Sequence, residues 1–384
     1  MKQSLGYYIK QIRGVSYKPT DLRISQDLDA IPILRANNIT DEGVDYSDLV
    51  YVSAKCVKED QLLKVGDILI CASSGSKNLV GKAAQITSSF KCSFGAFCKV
   101  IRAKDVEENF LGYFFQSPYY RESISNSSAG ANINNIRGED IDNIEIDFPE
   151  ETVQQKVVNK FNKLYSLILK RKQQLEKLDL LVKSQFIEMF GSPESNVRGF
   201  EISTVGQECV LKSGTSLPSN LENEGGTIPY VKVGDMTYNG CDKYITESSH
   251  MVTSKTAGSG LFPIGCIIFP KRGGAIGTNK KRLLSVPICA DLNIMGVIPG
   301  ERVNSQYLYS YFINIDLGKL NNGSSVPQIN NKDIAPLRII IPPMELQKEY
   351  SHLVEQTDKS KFVIKRSLEK LETLKKVLMQ KYFG

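Results

Sequence analysis

The sequence predicts an α+β protein with a pseudo-two-fold internal repeat: two similar mixed α/β domains joined by two long antiparallel helices. Three observations carry this. Phrases recur at an offset of 193–200 residues: GVSYKP (14–19) answers to GTSLP (214–218), IPILRANNIT (31–40) to IPYVKVGDMT (228–237), VGDILI (65–70) to IGCIIF (264–269), and LEKLD (175–179) to LEKLE (368–372). Two stretches of about forty residues, free of internal Pro and Gly, carry apolar residues at helical spacing. Strand-like runs fill the rest of each half. A repeat this long excludes a solenoid of small units.

Residues 1–150 form the first domain. Short β-branched runs (VGDILICASSG, AAQIT, FGAFCKVIR, IDNIEIDFP) alternate with Gly, Ser, Asn and Asp turns, and FLGYFFQSPYYRESI reads as one helix. Residues 151–191 form the first long helix. Val157, Phe161, Leu164, Ile168, Arg171, Leu175, Leu178, Val182, Gln185 and Met189 are spaced 4-3-4-3, a heptad-like stripe with polar breaks, and Gly191-Ser192-Pro193 stops it. Residues 192–343 repeat the strand-rich texture with CIIFP, NIMGVIP and LRIIIPP. Residues 344–384 form the second helix, with Leu346, Tyr350, Leu353, Ile364, Leu368, Leu371 and Leu378 on its apolar side and a polar middle. Helices of about 60 Å need a partner for their stripes, and the obvious partner is each other. An intrachain two-fold then makes them antiparallel, a rod with a globular unit near each end.

A chain of 384 residues has room for two or three cores, and 41% apolar with 23% charged residues is globular composition. The start MKQSLGYYIKQIRG lacks a signal-type apolar core, and no run reaches membrane-spanning length. Eight cysteines without a CxxC read as buried thiols of a cytoplasmic protein, and with two histidines a metal site is not expected. The net charge of +6 is concentrated on the two helical stretches, +4 on 151–191 and +3 on 344–384. Catalytic signatures are missing. No lysine has Asp or Glu two positions before it, as a PD-(D/E)xK nuclease needs, and neither Gly-Lys pair belongs to a phosphate-cradling GxxxxGK[ST]. The single Pro-Pro (342–343) opens a helix and is no base-flipping Asn/Asp-Pro-Pro-aromatic pocket.

Lys183, Ser184, Phe186, Glu188, Met189, Phe190 and Gly191 spell the Lys-Ser-x-Phe-x-Glu-Met-Phe-Gly phrase, and PEETVQQKVV (149–158) and PPMELQKEYSHLV (342–354) each give Pro-x-x-x-x-Gln. With GVSYKP, SGTSLPS and SVPQINNKDI, these resemble type I restriction–modification specificity subunits (the HsdS family) over essentially the whole chain. Two departures stand out: the second helix ends KVLMQKYFG, and the first domain has NINNIRGEDI where the second has VPQINNKDI. The resemblance implies a non-catalytic subunit of a multi-subunit enzyme. Each target-recognition domain reads one half of a split DNA target. The helices fix the unread gap and dock two methyltransferase subunits, through which restriction subunits join. No cofactor is implied in this chain; S-adenosylmethionine belongs on the methyltransferase partner. Leu167, Leu181, Phe186, Met189 and Phe190 are the expected partner face, with packing against the second domain as the alternative. Competing readings are a self-contained methyltransferase or nuclease, separable by a methyl-transfer assay on the chain alone, and a protein-only scaffold, separable by DNA mobility shift.

Base reading needs Arg or Lys for guanine and Asn or Gln for adenine, and phosphates need cations and amides. The densest cluster is KRGGAIGTNKKR, with Lys271, Arg272, Lys280, Lys281 and Arg282; its counterpart CASSGSKNLVGK offers Lys77 and Lys82. A solvated hairpin tip is the plain alternative. The Gly-x-Ser/Thr loops add Arg13, Tyr17, Lys18, Lys212 and Thr215, although Tyr17 also suits a core. Asn132, Asn134 and Arg137, with Gln328 and Asn330, lie in amide-rich stretches that either read adenines or form turns. Arg35 and Lys232 hold equivalent places in repeated phrases, as readers or as salt-bridge partners.

Overall fold

A computed structural model of the chain describes residues 3–76, 79–127, 135–237, 243–320 and 326–384. Their contacts divide into two compact units: residues 1–172 with 366–384, and residues 173–365. Each long helix therefore contributes to both units.

In unit 1 a four-stranded antiparallel sheet has the order Ile9–Arg13, Cys98–Ala103, Ile68–Cys71, Ala83–Gln85. A second sheet places Ala30–Leu34 between the parallel Ser93–Phe94 and the antiparallel Val50–Ser53. Unit 2 repeats this plan. Cys209–Ser213, Ile294–Pro299, Ile267–Pro270 and Arg282–Leu284 follow in antiparallel order. Ile228–Val231 lies between the parallel Ile288–Ala290 and the antiparallel Met251–Val252. The strands Ile68–Cys71 and Ile267–Pro270 are buried along their whole length. That is why both read as unbroken apolar runs rather than as alternation. The stretch expected as one helix after the first sheet is two, Glu108–Phe114 and Pro118–Ser127. Pro118 lacks the N–H that a continuous helix requires, so it begins a new one.

The long helices run Glu151–Phe190 and Met344–Phe383. The residues of the expected stripe in the first helix are all buried or half-buried. In unit 1 Phe161 faces Phe383 at 6.0 Å and Lys160 Nζ donates to the Tyr382 hydroxyl at 2.8 Å, while Lys375 sits 4.5 Å from the Tyr165 ring centre. In unit 2 Phe186 faces Tyr350 at 5.5 Å, and Lys361 pairs with Asp179 at 2.6 Å. In both units the partner number falls as the residue number rises, so the helices are antiparallel. The polar middle of the second helix keeps the heptad by placing Thr357 and Lys361 on the inner side.

Each unit buries helix ends in its own core. Val157, Phe161, Met379 and Phe383 join the unit 1 core, and Phe186, Phe190, Tyr350 and Val354 join that of unit 2. The recurrent Phe-Gly phrase is thus an anchor: Phe190 and Phe383 are 0% and 6% exposed. The KVLMQKYFG departure keeps the same device, with Met379 buried where the first helix has Phe186. A glutamine fastens each helix start. Gln154 Nε2 donates to Pro149 O at 2.8 Å and its Oε1 accepts from the Glu107 amide at 3.2 Å. Gln347 donates to Pro342 O and Arg302 O, both at 2.9 Å, and accepts from the Asn304 amide at 2.8 Å.

Six cysteines are buried and Cys56 is half-buried, while Cys241 lies outside the described residues. Among the described residues no helix is long and apolar enough to cross a membrane.

Candidate nucleic-acid interface

In unit 2 three sequence segments converge at the end of the strand Ile267–Pro270. The Lys271 amide donates to Asn293 O at 2.8 Å, and the Lys271 carbonyl accepts from the Ile329 amide at 2.9 Å. Lys271 Nζ reaches back to Ser213 Oγ at 2.7 Å. Arg272 forms an antiparallel bridge with Gln328, whose Nε2 donates to Asn330 Oδ1 at 3.0 Å. The exposed Arg272 thus stands beside an amide pair, with the loop of Thr215 behind Lys271. Partial burial and then the Arg272 guanidinium lower the pKa of the Lys271 ammonium. An anion at this place, such as a phosphate, would relieve that repulsion.

Unit 1 has the same framework. The Ala72 amide donates to Phe97 O at 2.9 Å, its carbonyl accepts from the Ile136 amide at 2.8 Å, and Ser73 bridges Asn135. Val15 donates to Phe94 O as Thr215 does to Ala290 O, each at 2.8 Å. The preceding glycines permit this approach: a Cβ on Gly14 would lie 2.1 Å from Gly95 O, and one on Gly214 2.1 Å from Asp291 O. Tyr17, Arg35, Asn37, Ser73, Ser74 and Phe97 line an open cleft of about 790 Å³.

The remaining expected readers fall into three groups. Arg13, Lys18 and Arg137 are exposed, Arg137 beside Glu139 at 3.3 Å; Lys280 is half-buried. Others carry internal partners: Arg35 with Asp48 at 2.8 Å, Lys82 with Asp41 at 2.9 Å, and Lys232 with Glu222 at 2.6 Å. Lys212 donates to Leu261 O at 2.7 Å and lies over the Phe262 ring. Lys77, Asn132 and Asn134 lie outside the described residues.

Four expectations are corrected. Lys281 is buried, donating to Asn279 Oδ1 at 2.7 Å and Ile315 O at 2.6 Å. Arg282 is buried, donating to Met236 O at 2.7 Å and Lys281 O at 3.0 Å. Both hold the fold rather than face a ligand. Phe186 and Phe190 are core residues of unit 2, stacked around Tyr307 at 5.5 and 4.8 Å, and Met189 packs against that core. Leu167 and Leu181 do face outward, with Leu169, Leu180, Ile187, Phe362 and Val363, which the sequence reading passed over. Phe97, 71% exposed beside the cleft, was also passed over. It sits in an apolar run, and only the hydrogen-bond register shows it to be the counterpart of Asn293.

Comparison with known proteins places these loops. A sequence profile of the type I restriction modification DNA specificity domain matches residues 22–178 and 198–374. The EcoKI specificity subunit of Escherichia coli is 30% identical over 373 residues, covering 90% of this chain and 79% of that protein. The StySPI specificity subunit of Salmonella potsdam is 43% identical over 174 residues, covering 45% of this chain and just 37% of that protein. The crystal structure of the type I restriction-modification S subunit from M. genitalium shares the fold (TM-score 0.61, 16% identity, covering 100% of this chain and 96% of that chain). So does a chain solved to explain complex assembly and conformational transition of the type I R-M system (TM-score 0.59, 17% identity, covering 98% and 97%). Two matched specificity domains, over most of the chain and over both sets of converging loops, make this protein a member of the type I restriction–modification DNA specificity subunit family.

Proposed function

We infer that the chain is the recognition part of a type I restriction–modification complex, in which each unit reads one half of a bipartite, asymmetric duplex target. The observation that carries this is one loop framework built twice with different side chains. Lys271, Arg272, Asn293 and Gln328 stand in unit 2 where Ala72, Ser73, Phe97 and Asn135 stand in unit 1. One scaffold with unlike contact residues selects unlike sequences. The long helices set the unread interval, and their outward apolar residues, Leu167 and Leu181 among them, receive two methyltransferase subunits. Restriction subunits join through these, and S-adenosylmethionine is bound by the methyltransferase, so this chain contributes recognition and not chemistry. The test reconstitutes the chain with its methyltransferase and maps methylated bases. A split motif with unlike halves is expected, and methyl transfer by the chain alone, or binding without sequence preference, would overturn the reading.

A further inference from the structure

The two loop frameworks correspond residue by residue, because the same backbone hydrogen bonds recur in both. Phe97 O accepts from Ala72 N, and Asn293 O accepts from Lys271 N. Ile136 N donates to Ala72 O, and Ile329 N to Lys271 O. Ser73 bridges Asn135, and Arg272 bridges Gln328. At these four places unit 2 presents two cations and two amides, whereas unit 1 presents a methyl, a hydroxyl, an amide and an aromatic ring.

The ring is held out deliberately. Phe97 O accepts from both the Ala72 and the Ser73 amides at 2.9 Å, and Cys98 N closes the turn on Gly95 O at 2.9 Å. The backbone is therefore fixed while the side chain is 71% exposed at the rim of the cleft that Tyr17, Arg35 and Asn37 also line. Asn293 is the opposite case, since its side chain turns inward and donates to Asp291 Oδ1 at 2.7 Å. A rigid, outward apolar ring among polar neighbours suits an apolar feature on a polar ligand. On the edges of a DNA duplex the one apolar feature in the major groove is the C5-methyl group of thymine.

We propose that Phe97 is a specificity-determining residue of unit 1, packing on a thymine C5-methyl in that unit's half of the target. This rests on the reading of the chain as a DNA-specificity subunit. It also assigns the two units different chemistries: hydrogen bonds and charge in unit 2, apolar contact in unit 1.

The experiment uses the complex reconstituted with its methyltransferase and duplexes carrying the site mapped from methylated bases. Each thymine is replaced in turn by deoxyuridine, which removes only the methyl. Unit 1's half is identified as the one whose reading survives Arg272→Ala. For the unaltered complex, one substitution in that half is expected to weaken binding roughly four-fold, the worth of one buried methyl. Phe97→Ala and Phe97→Asn are each expected to bind the thymine duplex more weakly and to ignore the uridine change at that position. Unchanged dependence on salt shows that the variants keep their fold and phosphate contacts. A uridine effect that persists in both variants overturns the proposal. So does a loss on Phe97→Ala that no uridine position shares, or a half-site without a thymine. Absence of any sequence preference in the unaltered complex would instead overturn the specificity-subunit reading beneath it.

Discussion

Lys271 and Arg272 begin the basic cluster that Lys281 and Arg282 end, yet the two pairs meet different fates. The chain turns through Gly274–Thr278 and re-enters the sheet as Arg282–Leu284, a strand buried along its length. The first pair is left outside that turn and the second is drawn in. Composition and spacing show five cations near glycines; they do not show which side of a turn becomes a strand. Lys271→Ala with Arg272→Ala is therefore expected to weaken DNA binding by the complex. The slope of log affinity against log salt should fall by about 2, one counterion per lost phosphate contact. Salt titration of binding checks it, and an unchanged slope would remove these residues from the interface. Lys281→Met should act on folding instead. Burial pushes the Lys281 ammonium down to about 8, from 10.5 in an unfolded chain. Between those values the unfolded chain binds more protons, so this lysine's contribution to stability rises with pH. Wild type should gain stability over the variant as pH climbs through that window, as denaturant unfolding at stepped pH will show.

At the scale of elements, the sequence was most legible in the long helices, because heptad spacing and stop signals are local. The strands of the fully buried sheets were visible as apolar runs. The break at Pro118 was missed because the aromatic residues on both sides bury in one core and so look continuous. The Pro-x-x-x-x-Gln phrase was readable as a signature but not as a device. Its glutamine fills three backbone groups that no residue of its own helix can reach, among them the Asn304 amide at the start of Ser305–Ile313. Gln347→Ala leaves these groups unpaired in a buried place and is expected to cost about 1–3 kcal/mol, measurable by chemical denaturation. Methylated-site specificity should persist wherever the protein remains folded. The Lys-Ser-x-Phe-x-Glu-Met-Phe-Gly phrase is likewise a packing device. Phe186→Asp puts a charge among Phe190, Tyr307 and Tyr350 and should cost about 4 kcal/mol or more. The isolated chain itself should then lose its cooperative unfolding transition. A well-folded Phe186→Asp chain that fails only to recruit methyltransferase would restore the partner-face reading.

For the molecule as a whole, the duplication was legible from recurrent phrases, and the division into units was not. The expected boundaries ran between domains and helices, whereas contacts group residues 1–172 with 366–384. The reason is that each core is completed by helix ends that are remote in sequence. Unit 2 is one continuous stretch of chain, but Val157 and Phe161 of unit 1 wait for Met379 and Phe383. During synthesis at about 5–20 residues per second, the first unit to be made must stay open for on the order of ten seconds or more. The second can close before it. Order of translation and order of completion are thus reversed for this protein. Ribosome-stalled chains ending at Lys365 are expected to show residues 1–150 sensitive to protease while residues 200–340 resist it. Stalled chains with all 384 residues outside the exit tunnel should resist over both. Early protection of the first unit in the shorter chains would show that its remaining core suffices without the final helical turns.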